Sequence, residues 1–231
     1  MNKNIFKHKH FKSEIIILSI RWYLKYPLSY RNVAEMLLER GISVNPSTIM
    51  RWTHEYGPIL EKKIRKYLRK SNSSWRVDET YIKVKGKWIY LYRAIDSHGD
   101  TIDFYLSKTR DTKGAKRFFT KALKVSNSSC LKVITVDKNP PYKAAIPEMK
   151  LEKKLKQKTI LRQIKYLNNI IEQDHRFIKK KVRYTKSFKT AKRTLAGIEA
   201  MHMIKKGQVK NSIKSVLFEM QFINKLLSIT S

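Results

Sequence analysis

The chain of 231 residues carries 51 Lys plus Arg against 18 Asp plus Glu, a formal net charge of +33, yet 42% of its residues are apolar and 11% aromatic. That apolar share excludes a disordered polycation, and at ~100–200 residues per domain the length suits one large domain or a compact domain with a small appendage. So large a charge makes a polyanion, most simply nucleic acid, the expected partner. No membrane association is expected: the longest apolar run, Ile15 to Ile20, is broken by Ser19 and falls well short of the ~20 residues that span a bilayer. Met1 to His10 is polar and basic, which is not the start of a secretory signal. A single cysteine, Cys130, can form neither an internal disulfide nor a cysteine-based zinc site, so a cytoplasmic protein is expected. Seven glycines without a phosphate-cradling spacing argue against a nucleotide cofactor.

In chain order, Ser13 is placed to cap a first helix running to about Tyr26, where Pro27 ends it. Ser29 is placed to cap a second, with Val33, Met36 and Leu37 on one face and Gly41 beyond its end. A third starts at Pro46-Ser47-Thr48, where Ile49, Trp52, Tyr56 and Ile59 form an apolar stripe and Ser47, Arg51 and His54 lie opposite. Three short helices with a tight second-to-third connection resemble a helix-turn-helix, whose last helix enters the major groove. Residues 1–60 are therefore read as a DNA-binding domain, in which Ser47, Thr48, Arg51 and His54 are the candidate contacts. Thr48 lies nearer the apolar stripe than the others. The charged run 61–74 reads as a basic helical linker ending in Asn and Ser.

Beyond it, Trp75 to Val84, Lys87 to Ile95 and Thr101 to Leu106 are rich in β-branched and aromatic residues, and the turn signals Lys85-Gly86 and Ser97-His98-Gly99-Asp100 separate them. They read as an antiparallel meander. Thr112 to Val125 has the stripe of an amphipathic helix, and Leu131 to Val136 is a short apolar strand of the buried, parallel kind. A strand near Thr159 to Arg162 and helices over 167–181, 188–206 and 216–227 complete the pattern. The net charge is +10 over residues 1–74, +7 over 75–136 and +16 over 137–231, so the strand-rich middle is the least basic part. The order of elements is that of an α/β, ribonuclease H-like mixed sheet, which periodicity alone leaves as one candidate among several.

Any acid set in an apolar context of so basic a chain needs a reason. Three stand out: Asp78 in W-R-V-D-E-T-Y, Asp137 closing V-I-T-V-D, and Glu172 in N-N-I-I-E-Q-D-H-R. Two neighbouring strands and a helix packed over them can bring such acids together, and hard divalent cations are held by carboxylate clusters of this kind. Each also has a plain structural reading: a solvated residue beside Glu79, a turn aspartate before Lys138-Asn139-Pro140, and a helical partner for Arg176. Four neighbouring acids are set aside as ligands. Glu79 alternates to the opposite face of its strand, Asp174 lies about 200° around its helix from Glu172, and Asp96 and Asp103 sit near turns.

W-R-V-D-E-T-Y-I-K-V-K-G-K-W-I-Y-L-Y-R-A-I-D, then V-D-K-N-P-P-Y, then R-Q-I-K-Y-L-N-N-I-I-E-Q-D-H-R-F-I-K and G-I-E-A-M resemble the DDE transposases of bacterial insertion sequences of family six, the type of insertion sequence twenty-six. The likeness runs from the helix-turn-helix to about Gln208, and the 34 residues between Asp137 and Glu172 match that family's spacing.

The resemblance implies an N-terminal domain that binds terminal inverted repeats and a ribonuclease H-like catalytic domain over residues 75–183. Asp78, Asp137 and Glu172 match the acidic triad that would hold two Mg²⁺ ions, with Mn²⁺ able to substitute. Lys179 matches the basic residue used near the transposon end, and Asn168 and His175 share its helical face. Residues 184–231 are expected to flank the catalytic domain and to offer an oligomer interface. Implied partners are double-stranded DNA, as transposon ends and target, and a second copy of the chain, since two ends must be synapsed. The place of action would be the nucleoid. A catalytically silent DNA-binding regulator on the same fold is the alternative, and a basic RNA-binding protein is the reading that charge alone would allow.

Overall fold

The computed structural model describes residues 5–126, 131–164, 178–179, 181–182 and 185–227. They fall into two compact units, Lys70–Lys186 and a helical one that joins Met1–Arg69 to Ser187–Ser231.

The α/β unit contains β1 (Ser74–Val84), β2 (Lys87–Asp96), β3 (Thr101–Ser107), β4 (Val133–Val136) and β5 (Ile160–Gln163) in the order β3-β2-β1-β4-β5. β1 to β3 are antiparallel neighbours, and β4 and β5 run parallel to β1. Lys85 and Gly86, at φ 47° and 79°, make the β1–β2 connection; two positive φ angles match the twist of the flanking strands. Helix α4 (Thr112–Ser126) follows β3 and α5 (Pro140–Leu151) follows β4. Trp75, Val77, Tyr92, Ala94, Ile134 and Val136 from one sheet face bury against Phe118, Phe119, Tyr142 and Met149 of these helices. This is the ribonuclease H-like arrangement expected from the sequence. A parallel strand reached through a crossover helix sets the end of β4 beside the middle of β1.

The helical unit contains α1 (Ser13–Lys25), α2 (Tyr30–Leu38), α3 (Pro46–Ile64), α6 (Phe188–Lys205) and α7 (Val216–Leu227). Ser29 caps α2 as expected, in a reciprocal pair with Asn32. Ser13 does not cap α1: it is the first helical residue, preceded by Lys12 without a side-chain cap. The expected tight α2–α3 connection is seven residues long, Glu39 to Asn45, and turns on Gly41 at φ 73°.

In the basic run 61–74, the first residues extend α3, Arg65–Tyr67 form a 3-10 turn, and Leu68 pairs with Val209. α6 packs against α3 inside the helical unit, and the reason is steric. Gly57 and Gly197 let the two backbones approach so closely that a Cβ on Gly197 would lie 2.8 Å from Leu24 Cδ1 and 3.1 Å from Gly57 Cα. The apolar residues of α6 therefore complete the core of Ile16, Leu24, Ile49 and Tyr56, all fully buried. No helix among the described residues is long and apolar enough to cross a membrane.

Candidate active site

The β1–β4 register pairs Trp75 with Ile134 and Arg76 with Thr135. Continued by two residues, it brings Asp78 alongside Asp137, just past the end of β4, on the face opposite the α4–α5 core. Both are half-buried. In the antiparallel pair, Asp78 lies opposite Arg93, which is fully buried.

Glu79 joins them, against the expectation from strand alternation. Its register does assign it to the α4–α5 face, yet one carboxylate oxygen from each of Asp78, Glu79 and Asp137 lies within 4.8 Å of the others. The β1–β4 ladder stops before this point, so no neighbouring strand separates the three. Polar groups from three segments hold the Glu79 carboxylate, which is only 2% exposed. Arg110 Nε donates to Oε1 at 2.9 Å, as do the other guanidinium arm and the Asn139 amide, and the Tyr142 hydroxyl donates to Oε2. The Asn139 backbone N–H donates to Asp137 at 3.1 Å, which turns the chain from β4 into α5.

Burial raises the pKa of Glu79, the bonds from Tyr142 and Arg110 pull it back, and the charge of Asp137 raises it again. Burial likewise raises Asp137; the Asn139 bond opposes it and the charge of Asp78 adds to it. Burial, with Glu79 beside it, keeps the Tyr142 phenol protonated. The site gathers negative charge in partial shelter from water, a state that a cation relieves. Its donors are all carboxylate oxygens, the set that hard divalent ions such as Mg²⁺ and Mn²⁺ take, so the residues present fit such an ion.

Of the other expected site residues, Glu172, Asn168 and His175 lie outside the described residues. Lys179 is exposed in the α/β unit, its Nζ 5.7 Å from the centroid of the Tyr81 ring. On α3, Arg51 is exposed, while Ser47, Thr48 and His54 are half-buried. The Ser47 hydroxyl is tied to the capping carbonyl of Asn45 at 2.8 Å, and burial and the nearby Arg193 lower the pKa of His54. Asp96 and Asp103 serve the fold: Asp96 accepts from the backbone of Asn72, His98 and Asp100, and Asp103 binds Lys121 at 2.8 Å. Sequence reasoning gave no role to Glu79, Arg110, Asn139 or Tyr142. Asn139 and Tyr142 stand inside the V-D-K-N-P-P-Y motif, which was the available signal.

Residues 72–208 match a protein family described as a DDE domain, in its IS240 transposase form. The chain is 47% identical over 204 residues, 88% of its length and 89% of the relative's, to the transposase for insertion sequence-like element IS431mec of Staphylococcus aureus strain Mu50. It is 46% identical, over the same shares, to the transposase for insertion sequence element IS257 in transposon Tn4003 of Staphylococcus aureus. Among solved structures, the Mos1 strand transfer complex aligns over 94% of this chain and 75% of that one, at 13% identity and a TM-score of 0.39. A simian T-cell lymphotropic virus intasome aligns over 48% of this chain and 41% of that one, at 19% identity and a TM-score of 0.37.

Proposed function

The chain belongs to the DDE-domain transposases of insertion sequence family six, polynucleotidyl transferases, and from that membership we propose that it cleaves the 3′ ends of its own insertion sequence and joins them to target DNA. The observation that carries this reading is the convergence of Asp78, Asp137 and Glu79 within 4.8 Å at the end of the parallel strand.

Asp78 and Asp137, with Glu172, would hold Mg²⁺, two ions in the full assembly. Bound there, the metal supplies activation of the attacking oxygen and neutralisation of the leaving one. Glu79 adds negative charge and orients the loop through Asn139 and Tyr142, while Arg110 limits the repulsion among the acids. Hydrolysis at the transposon end exposes a 3′-hydroxyl, which then attacks a target phosphodiester; no covalent enzyme intermediate is needed. Lysines of this strongly basic chain bind phosphates, which positions DNA without reading its sequence. Reading would come from α3, where the exposed Arg51 is the best placed of the four candidates, with Ser47, Thr48 and His54 beside it. Two ends must be held at once, so the working form is at least a dimer.

Incubating the purified protein with a duplex bearing the inverted repeat that flanks its gene tests the reading. A Mg²⁺-dependent nick at the repeat boundary, followed by joining to a second duplex, is expected. A protein that binds the repeat and leaves it intact with Mg²⁺ and Mn²⁺ alike is a silent regulator.

A further inference from the structure

The tip of the β1–β2 hairpin carries an aromatic and basic surface that the carboxylate site does not use. Tyr81 and Trp88 are 56% and 54% exposed, unusual for large rings on a strand pair whose neighbours Ile82 and Ile89 are buried. The register pairs Tyr81 with Tyr90 and Lys83 with Trp88, so Tyr81, Lys83 and Trp88 stand on one face. The two rings meet edge to face, centroids 5.0 Å apart at 81°. Lys83 Nζ lies 5.5 Å from the Trp88 ring and Lys179 Nζ 5.7 Å from the Tyr81 ring. With Lys85 and Lys186 these residues line an open cleft of about 630 Å³.

A cross-strand aromatic pair steadies a hairpin, but that role requires neither exposed ring faces nor a rim of lysines. Aromatic faces offer stacking to any nucleobase, and cations beside them take the phosphates. In a closed duplex the bases stack on one another, so only a nucleotide taken out of the stack can use such rings. The hairpin also continues the strand that carries the acids, and Glu79, whose carboxylate reaches Asp78 and Asp137, links the two places. Tyr81 is two residues beyond Glu79 on the same strand and face, about 7 Å at ~3.4 Å per residue, or about two base steps.

We propose that this cleft takes an unpaired nucleotide next to the scissile phosphate, its base stacked on Trp88 or Tyr81 and its phosphates held by Lys83, Lys85, Lys179 and Lys186. The assignment rests on the carboxylates being the cleavage site, and it adds a role for the hairpin in holding an already opened transposon end. All-cationic rims favour polyanions, which sets nucleic acid ahead of a peptide as the occupant.

The test compares two end duplexes in binding and cleavage by the full chain, one fully paired and one with two mismatched pairs at the boundary. Wild-type protein is expected to prefer the mismatched end. Trp88→Ala and Tyr81→Ala should each lose about tenfold in affinity for it, as for one stacked base, and change little on the paired end. Trp88→Phe should keep most of the preference, and with both rings exposed these variants leave the core intact. A 2-aminopurine placed in the mismatch should dim when wild-type protein binds, because the ring it stacks on quenches it. The complex with Trp88→Ala should be brighter than the wild-type one. Equal losses on both ends, or no preference in a wild-type protein that cleaves, overturns the cleft and leaves the transposase reading standing. Trp88-dependent binding of the mismatched end by a protein that never cleaves supports the cleft and overturns that reading.

Discussion

Two buried acids, one in each unit, show what sets the candidate site apart. In the helical unit, Glu219 of α7 meets two cations of α1, Arg21 at 3.3 Å and Lys25 at 2.5 Å. In the α/β unit, Glu79 meets Arg110 but shares its space with Asp78 and Asp137. The first acid is outnumbered by positive charge and fastens one helix to another. The second sits where negative charge accumulates, inside a chain of net charge +33. Burial alone therefore does not mark a functional acid; the sign of what surrounds it does.

The sharpest break of this comparison is Asp137→Asn. It should remove strand transfer by about a thousandfold or more, because charge stabilisation by a bound metal is worth several kcal/mol, while end binding stays intact or tightens. Retained transfer in the purified variant contradicts the assignment. Glu79→Gln keeps the shape and removes the charge, and should weaken Mg²⁺ affinity about 10–100-fold, the usual cost of disturbing groups around a metal site. Calorimetric titration of the metal checks it; unchanged affinity would reduce Glu79 to a brace for α5.

Glu219→Ala is the counterpart, leaving Arg21 buried among apolar residues. It should lower stability by about 3 kcal/mol in denaturant unfolding and leave the metal affinity of the α/β unit unchanged. Arg51→Ala should cost about 1–3 kcal/mol on the inverted repeat and less on random duplex; equal loss on both makes Arg51 a phosphate contact only.

The smallest effect is one of pH. Glu79 and Asp137 have folded pKa values above the ordinary carboxylate value of about 4, so between that value and the raised ones the folded state holds protons the unfolded chain has lost. Stability of the metal-free protein should therefore decrease as pH rises through that window. Saturating Mg²⁺ should remove the decrease, as thermal unfolding at a series of pH values can establish.

Much of the α/β unit is legible in the sequence because its signals are local. Period-two patterns bounded by Lys85-Gly86 and Ser97 to Asp100 mark the meander, and Asp78 and Asp137 stand out as acids in apolar runs. Glu79 is not legible that way. Alternation correctly assigns its strand face, but the early end of the β1–β4 ladder and the pull of Arg110, Asn139 and Tyr142 arise only in three dimensions. The partnership of α6 with α3 is hidden for a similar reason, since it depends on Gly57 and Gly197 meeting across 140 positions of sequence. A glycine inside a helical pattern signals a close approach without naming its partner.

The central claim is that these carboxylates form a metal-dependent centre for DNA cleavage and joining. Its most direct test follows a labelled inverted-repeat duplex with the purified protein, with and without Mg²⁺, beside Asp78→Asn. The account predicts a 3′-hydroxyl nick and joined product only in the wild-type reaction containing metal. Cleavage that persists in EDTA, or undiminished in Asp78→Asn, would contradict it.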